Sequence, residues 1–173
     1  MRISKLLRVA AAAATLGLIS PAAYAARDSQ SLFRVERSKN ANVVQYEVRL
    51  ADDGRLDGDR PVVGYWVRHE DGGERRDLRW LERKLAYGFD ARPDHSRTSV
   101  TLEMVAPIGR TLEVRRVADE WRAETRIDGR AAWLERVYVA SDESGPVPRV
   151  LYMDLVGTDV RTGEPRVERL RPD

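Results

Sequence analysis

From residue 32 onward most of the apolar residues of this chain recur at every second position. Val44, Tyr46, Val48 and Leu50 alternate with Gln45, Glu47 and Arg49. Val100, Leu102, Met104 and Ala106 alternate with Thr101 and Glu103, and Trp121, Ala123, Thr125 and Ile127 with Glu120, Arg122, Glu124 and Arg126. Successive side chains of a strand point to opposite faces, so this pattern specifies strands with one buried and one wetted face. The windows that carry it are 32–37, 43–50, 62–69, 97–106, 111–117, 120–127, 131–140, 149–156 and 166–170.

Turn-forming residues separate the windows: Asp53-Gly54, Asp71-Gly72-Gly73, Pro107-Ile108-Gly109, Asp128-Gly129, Ser144-Gly145-Pro146 and Thr162-Gly163-Glu164-Pro165. Asp128-Gly129 joins two long alternating runs and gives the strongest hairpin signal. Such a series predicts a mainly β fold: an antiparallel up-and-down β-barrel, or a curved sheet or sandwich, of about 8–9 strands with one short helix. The helix is predicted over 77–88, where Leu78, Leu81 and Leu85 form a stripe at helical spacing. Asp77 would cap its start, and Gly88 would supply a left-handed residue at its end.

The first 25 residues follow a different rule. Arg2, Lys5 and Arg8 form a basic head, Val9 to Ser20 an apolar run, and Ala23-Tyr24-Ala25 a small-x-small site. That order predicts a secretory signal peptide over 1–25, followed by a single β-rich domain over 26–173 in the periplasm or outside the cell. Cleavage would remove three cations and no acid. It would leave 27 Lys and Arg against 28 Asp and Glu, a net charge of −1 in place of +2. No excess positive field then remains to favour nucleic acid as a partner. After cleavage no apolar segment reaches the roughly 20 residues needed to span a bilayer. The chain has no cysteine, which excludes thiolate metal sites, a cysteine nucleophile and disulfide stapling.

Chemistry-bearing residues concentrate in two places. The run 36–42 offers Arg37, Ser38, Lys39, Asn40 and Asn42 within a few residues. Arginine supplies a fork and lysine a point charge for an anion or carboxylate. The same Ser and Asn residues also form turns by bonding to nearby backbone. The second place is the end of the predicted helix, with Glu82, Lys84 and Tyr87. These would face a pocket at a barrel mouth, form a solvated charged face, or make an ion pair with Arg37 or Lys39. The aromatics Trp66, Trp80, Trp121, Trp133, Tyr46, Tyr65, Tyr138 and Tyr152 would line an apolar cavity or fill the core.

Other chemistry has little local support. His69 and His95 stand 26 residues apart, outside any metal-ligand spacing. The acidic run 52–59 lacks the full calcium-loop pattern. No nucleophile elbow or glycine-rich phosphate loop is present. Neither a metal nor a cofactor is expected.

The run 32–46, Tyr65-Trp66, the segment 81–88 and Asp128-Gly129-Arg130-Ala131, taken in order, resemble domain-of-unknown-function family 4833 across about residues 32–170. The resemblance implies an exported bacterial protein of one domain. It draws attention to Arg37, Ser38, Lys39, Asn40, Asn42, Glu82, Lys84 and Tyr87 as motif positions, without assigning them an activity. The expectation is a non-catalytic periplasmic binding or scaffolding module for a small amphipathic or anionic ligand, or for an envelope protein docked at a sheet edge. The alternative is an envelope hydrolase-like enzyme using the 36–42 loop and the 82–88 helix end.

Overall fold

A computed structural model describes residues 29–106, 110–142, 144–145 and 149–172. The expected signal peptide, the Pro107-Ile108-Gly109 turn and Pro146 lie outside these residues. Eleven strands follow one another: β1 (Ser29–Arg37), β2 (Asn40–Arg49), β3 (Val62–Arg68), β4 (Glu74–Asp77), β5 (Phe89–Pro93), β6 (Ser99–Met104), β7 (Thr111–Val117), β8 (Glu120–Ile127), β9 (Arg130–Asp142), β10 (Arg149–Asp159) and β11 (Pro165–Leu170). One short helix, α1 (Trp80–Glu82), runs into a π-helical turn at Arg83–Tyr87.

The alternating runs form strands as expected, and Asp128 and Gly129 make the two-residue β8–β9 turn with φ of 51° and 73°. The sheet itself differs from a purely antiparallel one. Its order is β4-β3-β2-β1-β9-β8-β7-β6-β5, with β10 on the opposite edge of β9 and β11 beyond it. β1 runs parallel to β9, with Arg34 opposite Arg136 and Arg37 opposite Val139. The cause is the length of β9. Its first residues pair with β8 (Ile127 to Arg130, Glu124 to Trp133), and its later ones take up β1 on the same edge. Where β1 and β8 diverge, the Gln30 amide stands in for a strand. Its Nε2 donates to the Trp121 carbonyl at 3.2 Å and its Oε1 accepts the Trp121 N–H at 2.9 Å. The result is a mixed sheet curled into a half-barrel rather than an up-and-down barrel.

Two strands and the helix also depart from the expectation. β4 reads Glu-Arg-Arg-Asp and has no apolar alternation to reveal it. β5 continues directly from the segment expected to be helical. Asp77 ends β4, and only three residues form α-helix before the π-helical turn. Leu78 is buried in the extended lead-in, whereas Leu81 and Leu85 are exposed. Gly88 is extended, at φ −77°. It is required for another reason: a Cβ there would lie 2.1 Å from the Arg83 carbonyl oxygen.

The concave face carries the core. Phe33, Val35, Val44 and Tyr46 from one wing meet Val100, Leu102, Leu112 and Val114 from the other. Tyr46 bridges the wings: it stacks on Phe33 at 4.5 Å, meets Phe89 edge-on at 5.9 Å, and donates its hydroxyl to the Tyr87 carbonyl at 2.9 Å. Burial pushes the Tyr46 phenol well above the usual tyrosine range, keeping it a neutral donor. Among the described residues no helix is long and apolar enough to cross a membrane.

Candidate functional site

Strand alternation determines what lies at one mouth of the half-barrel. The buried series on β2 runs Val48, Tyr46, Val44 and ends at Asn42. On β1, Phe33 and Val35 are followed two residues later by Arg37. On β3 Trp66 is followed by Arg68, and Arg76 of β4 lies opposite Trp66 in register. The apolar floor thus gives way to a cleft of 280 Å³ lined by Arg37, Asn42, Trp66, Arg68, Arg76, Arg79 and Glu82.

Each wall is braced. The Arg37 guanidinium carbon lies 4.6 Å from the Trp66 ring centroid, and its Nη2 donates to Asn40 Oδ1 at 3.4 Å. Tyr87 meets the Trp66 ring edge-on at 5.2 Å. Arg76 Nη2 donates to Glu82 Oε1 at 2.8 Å, while Glu82 Oε2 accepts the Arg79 backbone N–H at 2.6 Å. Asn42 exchanges hydrogen bonds with Glu70, and Arg68 pairs with Asp71 at 2.5 Å.

The lining itself thus holds four arginines and one carboxylate, with Glu70 and Asp71 pairing Asn42 and Arg68 at its margin. Burial pushes the Glu82 carboxyl up, but the Arg79 N–H and the Arg76 guanidinium outweigh it and hold the group below the usual carboxylate range. Trp66 adds a weaker pull although its indole N–H reaches no hydrogen bond of normal geometry. Among the described residues three buried side-chain polar atoms find no partner in the protein: Arg37 Nε, Trp66 Nε1 and Arg76 Nε. All three are donors, and all three residues line this cleft. A buried donor left unpaired costs about 1–3 kcal/mol. An oxyanion that parts the side chains covering these donors would meet them with charge-assisted hydrogen bonds, roughly twice as strong as neutral ones.

A roomier concavity, of 740 Å³, is lined by residues including Arg110, Glu113, Glu124 and Glu168. Two of its carboxylates, Glu124 and Glu168, are paired with arginines. Arg110 makes a fork to Glu168, and Arg115 pairs with Glu124 at 2.7 Å. None of the unpaired buried donors lies there, so size alone does not mark it as a site.

Of the residues singled out in the sequence, Arg37, Asn42 and Glu82 line the cleft, Asn40 holds Arg37, and Tyr87 braces Trp66. Ser38 is turned toward β9, where its Oγ accepts the Ser141 N–H at 3.1 Å. Lys39 sits in the exposed β1–β2 turn, and Lys84 lies 5.0 Å over the exposed ring of Trp80. The ion pair considered between the helix and Arg37 or Lys39 forms instead between Glu82 and Arg76.

Arg68, Arg76 and Arg79 were not anticipated, and Trp66 stood only among the aromatics expected to line an apolar cavity or fill the core. Pairing the two sides of Asp71-Gly72-Gly73 as a hairpin would have set Trp66 against Arg76. The aromatic residues do not share one cavity: Trp121 lies in the core, while Tyr138 and Tyr152 pair at 6.4 Å. Both histidines are exposed. Among the described residues no cluster of three metal-ligating side chains occurs. The carboxylates of the 52–59 loop serve as turn acceptors: Asp53 for Arg55, Asp57 for Asp59 and Arg60.

No curated protein and no solved structure matches the chain. The family model described as "Domain of unknown function (DUF4833)" matches residues 33–169, a span that contains every residue of the cleft. The chain belongs to the DUF4833 family.

Proposed function

We propose that this protein is an exported, non-catalytic binding module whose half-barrel mouth takes the anionic group of a small molecule: a phosphate, a sulfate or a carboxylate. The observation that carries the reading is the convergence of three unpartnered buried donors on one arginine-rich cleft. The Arg37 guanidinium sits over the Trp66 ring and spends one N–H on Asn40, which leaves its other N–H groups for a ligand. Export is supported by the basic head, apolar run and small-x-small site at residues 2–25. The hydrolase alternative is less well supported, because the cleft's one carboxylate is held ionised by two donors. A general acid or base works best with a pKa near the operating pH.

Isothermal titration of the purified protein with inorganic phosphate, sulfate and citrate tests the reading. Saturable binding of at least one of them is expected, weakened by salt and lost in Arg76→Met. Heat no greater than dilution for all three, or an Arg76→Met titration that overlays wild type, would refute it.

A further inference from the structure

We propose that the turn 79–85, which links β4 to β5, docks onto an anionic phospholipid surface. The chain places large apolar side chains outward here: Trp80 is 68% exposed, Leu81 55% and Leu85 62%. Val105, 50% exposed, faces the same concavity as Trp80. The patch is not a failed core stripe, since Leu78 alone turns inward and packs.

Cations ring the apolar tip. Arg60, Arg83 and Lys84 line the adjoining 560 Å³ concavity, with Asp90 its one carboxylate, and Arg79 precedes Trp80. No ion pair among the described residues involves any of these four cations. Lys84 instead rides over the Trp80 ring. Tryptophan and leucine flanked by arginine and lysine match a bilayer interface, where the apolar groups enter the acyl boundary and the cations meet headgroup phosphates. The charge pattern also selects among occupants. A second copy would bring like-charged rims together, whereas an anionic surface complements them.

This inference stands apart from the anion-binding reading, although the same turn supplies Arg79 and Glu82 to the cleft.

The tryptophans provide the test. Trp66, Trp121 and Trp133 are 4%, 4% and 7% exposed, so Trp80 alone is open to a quencher in the membrane. The full protein would be mixed with brominated phosphatidylethanolamine–phosphatidylglycerol vesicles and with phosphatidylcholine vesicles. Sedimentation with the anionic vesicles and quenching of the exposed tryptophan are expected, with neither on phosphatidylcholine. The double variant Trp80→Ser/Leu85→Ser should lower the partition coefficient about tenfold or more, since each removes buried apolar surface in the docked state. Lys84→Glu should weaken binding, and Arg37→Met should leave it intact, which separates this surface from the cleft. All the substituted residues but Arg37 are exposed, and circular dichroism would verify the fold. The proposal is overturned if wild type stays in the supernatant at low salt, or if the double variant binds like wild type. A wild-type dimer that the double variant dissociates would equally overturn it, by assigning the patch to a second copy.

Discussion

Replacing Arg37 by methionine separates a binding role from a structural one, because the two predict different patterns of stability. Methionine keeps much of the apolar stem while deleting the guanidinium. Without ligand, three contributions change. The buried Nε, which has no partner, disappears, and relieving such a donor is worth about 1–3 kcal/mol. The guanidinium stacked 4.6 Å from the Trp66 centroid is lost, at about 0.5–2 kcal/mol. The hydrogen bond to Asn40 goes too, but at 3.4 Å it falls at the weak end of the roughly 0.5–1.5 kcal/mol range. These changes cancel to within about 1 kcal/mol, and for a chain of this size that moves Tm by about 2–4 °C. An anion that binds only the folded state stabilises it by about 2.7 kcal/mol at a hundredfold excess over Kd, which raises Tm by about 5–10 °C. Differential scanning fluorimetry of wild type and R37M, across a phosphate titration at fixed ionic strength, should therefore show near-equal melting without phosphate and a rise confined to wild type. The reasoning fails if R37M melts more than about 8 °C below wild type in both conditions while keeping the phosphate-dependent rise. Arg37 would then be a structural brace.

Other outcomes follow from features elsewhere in the fold. Gln30→Ala leaves the Trp121 N–H and carbonyl without partners where β1 and β8 part, so urea unfolding should report a loss of about 1–3 kcal/mol. Gly88→Ala sets a Cβ against the Arg83 carbonyl, and the same measurement should show a loss of about 1–3 kcal/mol or more, together with weakened anion binding. Acid should destabilise the fold through carboxyls held low: Asp94 by the Ser96 hydroxyl, Glu168 by Arg110, Asp159 by the Arg161 and Thr162 N–H groups. Each has a folded pKa below its unfolded value. Their stabilisation is full above the unfolded range of about 4 and drains as pH falls through it, because the unfolded chain takes up protons first. Melting temperatures recorded from neutral pH downward should fall steeply below about pH 4, and a flat profile into strong acid would contradict the assignment.

What could be read from the sequence was local. The Asp128-Gly129 hairpin needs only two φ > 0 residues between alternating runs, and all its information lies within a few positions. The β1–β9 pairing joins Arg34 to Arg136, and nothing local encodes a parallel contact across that distance. β4 was hidden because all four of its residues are charged. In the segment 77–88 the leucine spacing was real, but one leucine packs and two face solvent. The site divided in the same way. Arg37, Asn42 and Glu82 stood out as polar residues between apolar runs. Trp66 resembled a core residue, and Arg76 a surface charge. Each gains its role only through the register that sets Trp66 beside Arg76, which composition and periodicity do not contain.

The mixed topology and the cleft are linked. Arg37 ends β1 at its last pairing with β9, and the turn after it is pinned there by the Ser38 N–H to the Val139 carbonyl at 2.9 Å and by the Ser141 N–H to Ser38 Oγ. Trp66 is braced from a different element, by Tyr87, whose carbonyl is held by the Tyr46 hydroxyl. Arg76 is oriented by Glu82, which the Arg79 N–H fixes in turn. The three unpaired donors are thus braced from different elements: β9, the π-helical turn and α1. A closed antiparallel barrel would have paired the β1 edge along its length and left no parallel terminus to anchor Arg37 beside the Trp66 ring. Side chains held this way lose little freedom when a ligand arrives. On the proposed reading, an anion bound at the mouth of this half-barrel would offset the desolvation already incurred at Arg37 Nε, Trp66 Nε1 and Arg76 Nε.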